Sequence, residues 1–182
     1  MTDDFNYASE ADFIQTAITN GPFASAGDVG WMNGTPTMTF HGGSQIGSIF
    51  LTDQAVDGID CAWTAKLVSV GAGTAAFGFN DLQHEILIRY STNKIRFVSS
   101  QGVDVPLPLY LAIVRVGGVY YAAYRAPLVA QWTYLSPLAG YTVPGSFPSG
   151  LPFGIAQIGD AGSTSTWDDF NVVPVPMSAL PM

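Results

Sequence analysis

The chain has 182 residues, enough for one domain with a full hydrophobic core. Lys and Arg total 6 against 14 Asp and Glu, a formal charge of −8, and only 11% of residues are charged where an ordinary soluble domain has about 25%. That excludes a disordered chain and a nucleic-acid partner, since so few cations cannot neutralise a row of phosphates, and a lone Cys61 excludes an internal disulfide framework.

The pattern predicts an all-β fold: short β-rich runs, separated by Gly and turn residues, with no sustained helical period. In chain order the expected strands are Phe13–Ile18, Thr37–Phe40, Ile46–Thr52, Ile59–Val70, Thr74–Phe79, Glu85–Tyr90, Lys94–Val98, Leu109–Val116, Val119–Arg125, Gln131–Leu135, Phe153–Ile158 and Thr166–Val173. Ala8–Ala17 has room for one short helical turn. Within Ile59–Val70, Cys61, Trp63, Ala65 and Leu67 share one face, which makes Cys61 a small buried hydrophobe. Gly117-Gly118 predicts a two-residue hairpin turn. Its register sets Val116 opposite Val119, Val114 opposite Tyr121, Ala112 opposite Ala123 and Tyr110 opposite Arg125. Both faces of that hairpin are greasy, so each is covered by the chain itself or by a partner.

Asp3-Asp4-Phe5-Asn6 recurs as Asp168-Asp169-Phe170-Asn171, as expected if the first and last strands lie side by side. Adjacent acids on a regular strand are expected to split between its two faces. The chain ends in an uncharged, proline-rich segment, 174–182, read as an arm beside a 1–173 sandwich. Such an arm packs on its own domain or on a neighbouring chain. The acidic start, Met1-Thr2-Asp3-Asp4, carries no apolar leader, so no signal peptide is expected. The apolar stretches near Leu107–Val116 and Tyr120–Leu128 are cut by Arg115, Arg125 and prolines, so no membrane insertion is expected.

The run from Leu109 to Arg125, followed by Gln131-Trp132-Thr133, resembles a strand–turn–strand–Trp pattern of the concanavalin A-like lectin/glucanase superfamily. Gly154-Ile-Ala-Gln-Ile and Trp167-Asp-Asp-Phe-Asn-Val are similar to that superfamily's closing strands, and Asp3-Asp4-Phe5 to its first. The resemblance implies a two-sheet antiparallel jelly-roll sandwich. It departs at Ala112, often polar in that family, and at Ala126-Pro127-Leu128, which replaces its usual turn.

Glycoside hydrolysis needs two carboxylates facing one sugar. The glucanase strand motif E-x-D-x-x-E is missing, and Glu10 and Glu85 are the only glutamates, so no catalysis is expected. His84-Glu85 lacks the second histidine of a zinc motif, and no Gly-x-Ser-x-Gly elbow occurs. Gly71-Ala-Gly-Thr-Ala-Ala matches a dinucleotide fingerprint in letters alone, because strand rather than helix follows it.

Glycan binding is what the resemblance most directly implies, with Trp31, Tyr110, Tyr121, Trp132, Tyr141 and Trp167 as candidate stacking residues. Domains of that fold often carry a structural calcium. Asp3, Asp4, Asp168 and Asp169 are the candidate ligands, although solvated strand starts explain them more simply. The preferred expectation is a non-catalytic subunit of a larger assembly: a phage virion protein in decoration, tail or fibre, assembled in the host cytoplasm. It would contact copies of itself and other virion proteins through Ala112, Val114, Pro174, Pro176 and Leu180, and a cell-surface glycan. The alternatives are a free-standing carbohydrate-binding module and a glycoside hydrolase of the same fold.

Overall fold

The computed structural model describes residues 2–3, 7, 9–20, 23–26, 30–34, 37–41, 47–51, 60–79, 86–98, 101–135, 153–158 and 163–174. The strands are β1 (Thr2–Asp3), β2 (Phe23–Ala26), β3 (Gly30–Gly34), β4 (Thr37–His41), β5 (Gly47–Leu51), β6 (Cys61–Val70), β7 (Thr74–Phe79) and β8 (Ile86–Ser91). They continue with β9 (Lys94–Phe97), β10 (Val103–Asp104), β11 (Leu109–Val116), β12 (Val119–Arg125), β13 (Thr133–Tyr134), β14 (Phe153–Ile158) and β15 (Thr164–Pro174). An eight-stranded sheet runs β13-β12-β11-β6-β15-β4-β3, with β1 also on β15, and a seven-stranded sheet runs β10-β9-β8-β7-β14-β5-β2. Every ladder between these strands is antiparallel, and one isolated parallel bridge joins Ala72 to Ser163. The expected two-sheet antiparallel sandwich is the observed one.

Alternation explains the packing. Trp63, Ala65 and Leu67 of β6 and Trp167 and Phe170 of β15 point inward from one sheet, and Phe77, Phe79 and Phe153 meet them from the other. Trp63 stacks on Phe153 at 4.8 Å, Phe79 meets Trp63 edge-on at 5.0 Å, and Phe77 meets Phe153 edge-on at 4.9 Å. Each ring buries about 150–250 Å², so this cluster supplies much of the force between the sheets. Burial pushes the Cys61 thiol up to about 12, which leaves it an inert apolar filler.

The predicted hairpin register holds at every named pair, with Gly117 and Gly118 at φ 57° and 82° as a tight turn of this hand requires. Asp60 fixes the turn to the start of β6 by accepting hydrogen bonds from the Gly117 N–H at 2.9 Å and from Arg115 Nη1 at 3.4 Å. The first and last strands do pair, Asp3 opposite Phe170; Phe5 lies outside the described residues.

One expected strand is wrong. Phe13–Ile18 belongs to a helical segment, α1 (Glu10–Phe13), which continues in a wider turn over Ile14–Thr19. Ser9 caps it, its Oγ accepting from the Asp12 N–H at 3.0 Å, and Ser9-Glu10-Ala11-Asp12 reads as a capping box. Ala11, Asp12, Gln15, Thr16, Thr19 and Asn20 are exposed, a helical spacing that the β-rich composition obscured.

Candidate functional site

The outer face of the eight-stranded sheet carries the chemistry. Cross-strand register sorts its side chains into three parallel rows. Asp168 faces Lys66, Lys66 faces Tyr110 and Tyr110 faces Arg125, so one tall row crosses β15, β6, β11 and β12. The next row is low: Asn171, Thr64, Ala112 and Ala123, closed by Tyr134 of β13. The third row is Val173, Ala62, Val114 and Tyr121. Same-face residues two apart on a strand lie about 6.7 Å apart, so the outer rows stand about 13 Å from each other. Over β11 and β12 the low row, Ala112 and Ala123, is therefore the floor of a short trough between Tyr110 and Arg125 on one side and Val114 and Tyr121 on the other. Ala112 and Ala123 are only 3% and 2% exposed, although they point away from the core.

The tall row is tied together. Lys66 Nζ lies 2.8 Å from Asp168 Oδ2, and that hydrogen bond pushes the Lys66 ammonium above its ordinary value. The Tyr110 hydroxyl donates to Asp169 Oδ2 at 2.9 Å, a bond that raises the phenol, with burial adding to the effect. The Arg125 guanidinium carbon sits 4.3 Å from the Tyr110 ring centre and 5.1 Å from that of Trp132. Arg125 Nη1 also donates to the Val129 carbonyl at 3.1 Å, which ties the 126–131 loop to the strand and holds Trp132 at the end of the row. At the closed end of the low row, Tyr134 meets Tyr121 of the third row edge-on at 6.5 Å, and burial pushes its phenol up.

Asp168 and Asp169 do not split between faces as expected. The register between β15 and β6 shifts between Asp168 and Asn171, and Asp169 sits at φ 51°. This bulge turns both carboxylates outward. Asp168 Oδ1 accepts the Asp169 N–H at 2.9 Å, which holds the strained residue in place.

These contacts also test the calcium expectation. Calcium takes six to eight oxygen ligands. Asp168 is already engaged by Lys66 and the Asp169 N–H, and Asp169 by Tyr110. Among the described residues no three His, Cys, Asp or Glu converge. Asp168 and Asp169 are thus satisfied by protein partners, and Lys66 supplies a positive charge beside Asp168. Asp3 pairs through its backbone with Phe170, and Asp4 lies outside the described residues.

Of the expected glycan residues, Tyr110, Tyr121 and Trp132 gather on this face, beside the expected assembly residues Ala112 and Val114. Trp167 must be withdrawn. It is 0% exposed, faces Phe77 in the core and donates its indole N–H to Ser165 Oγ at 2.9 Å. Trp31 lies in β3, at the far edge of the same sheet, and Pro174 ends β15 opposite Cys61. Tyr141, Pro176 and Leu180 lie outside the described residues. Sequence reasoning missed Lys66 and Arg125. Arg125 was within reach, because the hairpin register already set it against Tyr110; Lys66 needed the β6–β11 and β6–β15 pairings.

A second concavity of about 670 Å³ opens at the edge of the sandwich. It lies between the end of β6, the β8–β9 turn and the segment after β10, and none of the expected site residues lines it.

No family model matches the chain, and no curated protein matches it. Solved structures do. The exoplasmic/lumenal domain of VIP36, in a form bound to Ca2+ and Man3GlcNAc, matches with a TM-score of 0.58 at 12% identity, covering 87% of each chain. The carbohydrate-binding module CBM66 from Bacillus subtilis matches at 0.57 and 12% identity, over 83% of this chain and 94% of that one. A GH43 protein, BlXynB of Bacillus licheniformis, matches at 0.52 and 10% identity, over 77% of this chain but only 33% of that one. The fold is the concanavalin A-like jelly-roll sandwich.

Proposed function

We propose that the protein is a non-catalytic glycan-binding module whose ligand lies in the trough on the outer face of the eight-stranded sheet. The observation that carries this reading is the trough itself: an alanine floor between two aromatic-bearing rows, with Arg125 holding Tyr110 and Trp132 in fixed positions. Sugars present flat C–H faces to aromatic rings and hydroxyls to fixed polar groups. The Asp169 carboxylate, the Lys66 ammonium and Asn171 stand along the trough to receive those hydroxyls. Two structural neighbours support the ligand class, since one is a carbohydrate-binding module and the other was solved with Man3GlcNAc bound. The two outward acids do not stand as a free acid–base pair: each is tied to a neighbour on the row. Affinity electrophoresis of the whole chain against a panel of polysaccharides tests the reading. Retardation by at least one polymer, weakened about tenfold by Trp132→Ala (about 1.4 kcal/mol), supports it; a chain that no polymer retards refutes it.

A second reading places the protein in a phage virion, as a decoration, tail or fibre-associated subunit touching copies of itself and other virion proteins. Exposed apolar side chains favour it: Leu128 is fully exposed at the tip of the β12–β13 loop, with Val129 beside it and Val173 at the end of β15. Immunodetection on purified particles, with sizing of the isolated chain, tests this. Absence from particles and a monomer at all concentrations would remove it.

A further inference from the structure

The cleft at the sandwich edge has its own chemistry. Its apolar walls come from Val70, Val105 and Leu107, and its polar rim from Ser69, Asn93 and Asp104. The wall is braced, because the buried Tyr90 donates its hydroxyl to the Val105 carbonyl at 2.9 Å and the Val105 N–H donates to the Asn93 carbonyl at 3.0 Å. The space, about 670 Å³, falls within the range of small-molecule sites. No Lys, Arg or His is among its lining residues, and Asp104 is its one formal charge. Asp104 meets Lys94 only loosely, at 3.8 Å between exposed side chains, so its carboxylate remains open to a hydroxyl donor. Such a lining gives an anion no cation of its own, gives a cation a single carboxylate, and suits a molecule with apolar C–H faces and several hydroxyl donors.

We infer that this cleft is a second binding site, separate from the trough, for one neutral sugar unit, with Asp104 and Asn93 receiving its hydroxyls. The inference rests on the glycan-binding reading for the ligand's class but not for its location. Val68 lies two residues beyond Lys66 on β6, where the register against β15 shifts, and it lines the cleft. Along β6 the cleft therefore lies beyond the tall row, on the side away from the trough.

Amide chemical-shift mapping of the full-length chain tests this, with cellotriose, mannotriose, maltotriose and a trigalacturonate as probes. At least one neutral triose is expected to shift the amides of Ser69, Gly71 and Asn93 as one set and those of Ala112 and Ala123 as another. Asp104→Lys, on an exposed side chain, is expected to weaken the cleft set at least tenfold and leave the trough set unchanged. Ser69→Trp, which fills the cleft without altering its charge, is expected to do the same. Trough shifts without cleft shifts would overturn the second site alone. Preference of the cleft for trigalacturonate would overturn its assigned chemistry. No shift with any triose would overturn this inference, while the polysaccharide panel separately judges the trough.

Discussion

Replacing Arg125 is the most informative single perturbation, because one side chain joins two rings and a loop. Its guanidinium lies 4.3 Å and 5.1 Å from the centres of the Tyr110 and Trp132 rings. At a half-exposed site each contact contributes about 0.5–1 kcal/mol. The hydrogen bond to the Val129 carbonyl, 3.1 Å and solvent-accessible, adds about 0.5–1 kcal/mol once screening is allowed for. Arg125→Ala should therefore cost about 2 kcal/mol, or about 4–8 °C in Tm for a chain of this size. Arg125→Lys should cost about half as much, since it keeps the charge but loses the planar fork. The local signature is sharper than the global one. Trp63 and Trp167 are buried, so acrylamide quenching due to Trp132, taken as the difference from a Trp132→Phe background, should rise as the 126–131 loop is released. Glycan affinity should fall about tenfold with it, because Trp132 must then be ordered on binding. An Arg125→Ala protein with unchanged urea midpoint and unchanged Trp132 quenching would refute the clamp.

Three further outcomes follow from the same contacts. Trp167→Ala should cost about 3–5 kcal/mol of stability by emptying the core, and any loss of glycan binding should track the unfolded fraction; full stability with lost binding would reinstate Trp167 as a ligand contact. The Lys66 ammonium is raised by Asp168, so the pair's contribution is complete below the ordinary value of 10.5 and is lost as pH climbs through the higher folded value. Asp168→Asn should accordingly flatten the alkaline limb of the urea midpoint against pH, and an unaltered limb would contradict that assignment. Chelation with EDTA should leave both Tm and polysaccharide retardation unchanged; a fall of several degrees, restored by calcium, would show that an ion sits among the terminal acids after all.

The central hairpin could be read from its residues because the information is local: two adjacent glycines with positive φ set the pairing of β11 with β12 without help from the rest of the chain. The inward face of β6 was equally plain from strict alternation. What could not be read depends on contacts distant in sequence. Lys66 meets Asp168 across 102 residues, and nothing local marks either as a partner of the other. The outward turn of both Asp168 and Asp169 comes from a bulge, and period-two reasoning has no means of counting an extra residue in a strand it assumes regular. Trp167 was misassigned for the opposite reason: aromatic content alone does not say which face a residue takes. Tyr110, Tyr121 and Trp132 came together because the hairpin's alternation placed the first two on one face, and the loop after β12 returned the third to it. The helical turn allowed for Ala8–Ala17 is present but runs on to Thr19, where Phe13–Ile18 reads as strand because the surrounding β-rich composition outweighs the short cap signal of Ser9 and Asp12.

The trough is tested most directly by plugging its floor. Ala112 points away from the core at its centre and is only 3% exposed, so Ala112→Phe places a ring in the space between the flanking rows rather than in the core. Calorimetric titration with the best-retarding oligosaccharide should show no heat of binding at the trough, while far-UV and near-UV circular dichroism match the parent chain. A folded Ala112→Phe protein that binds that oligosaccharide with undiminished affinity would contradict the assignment of the trough as the binding site.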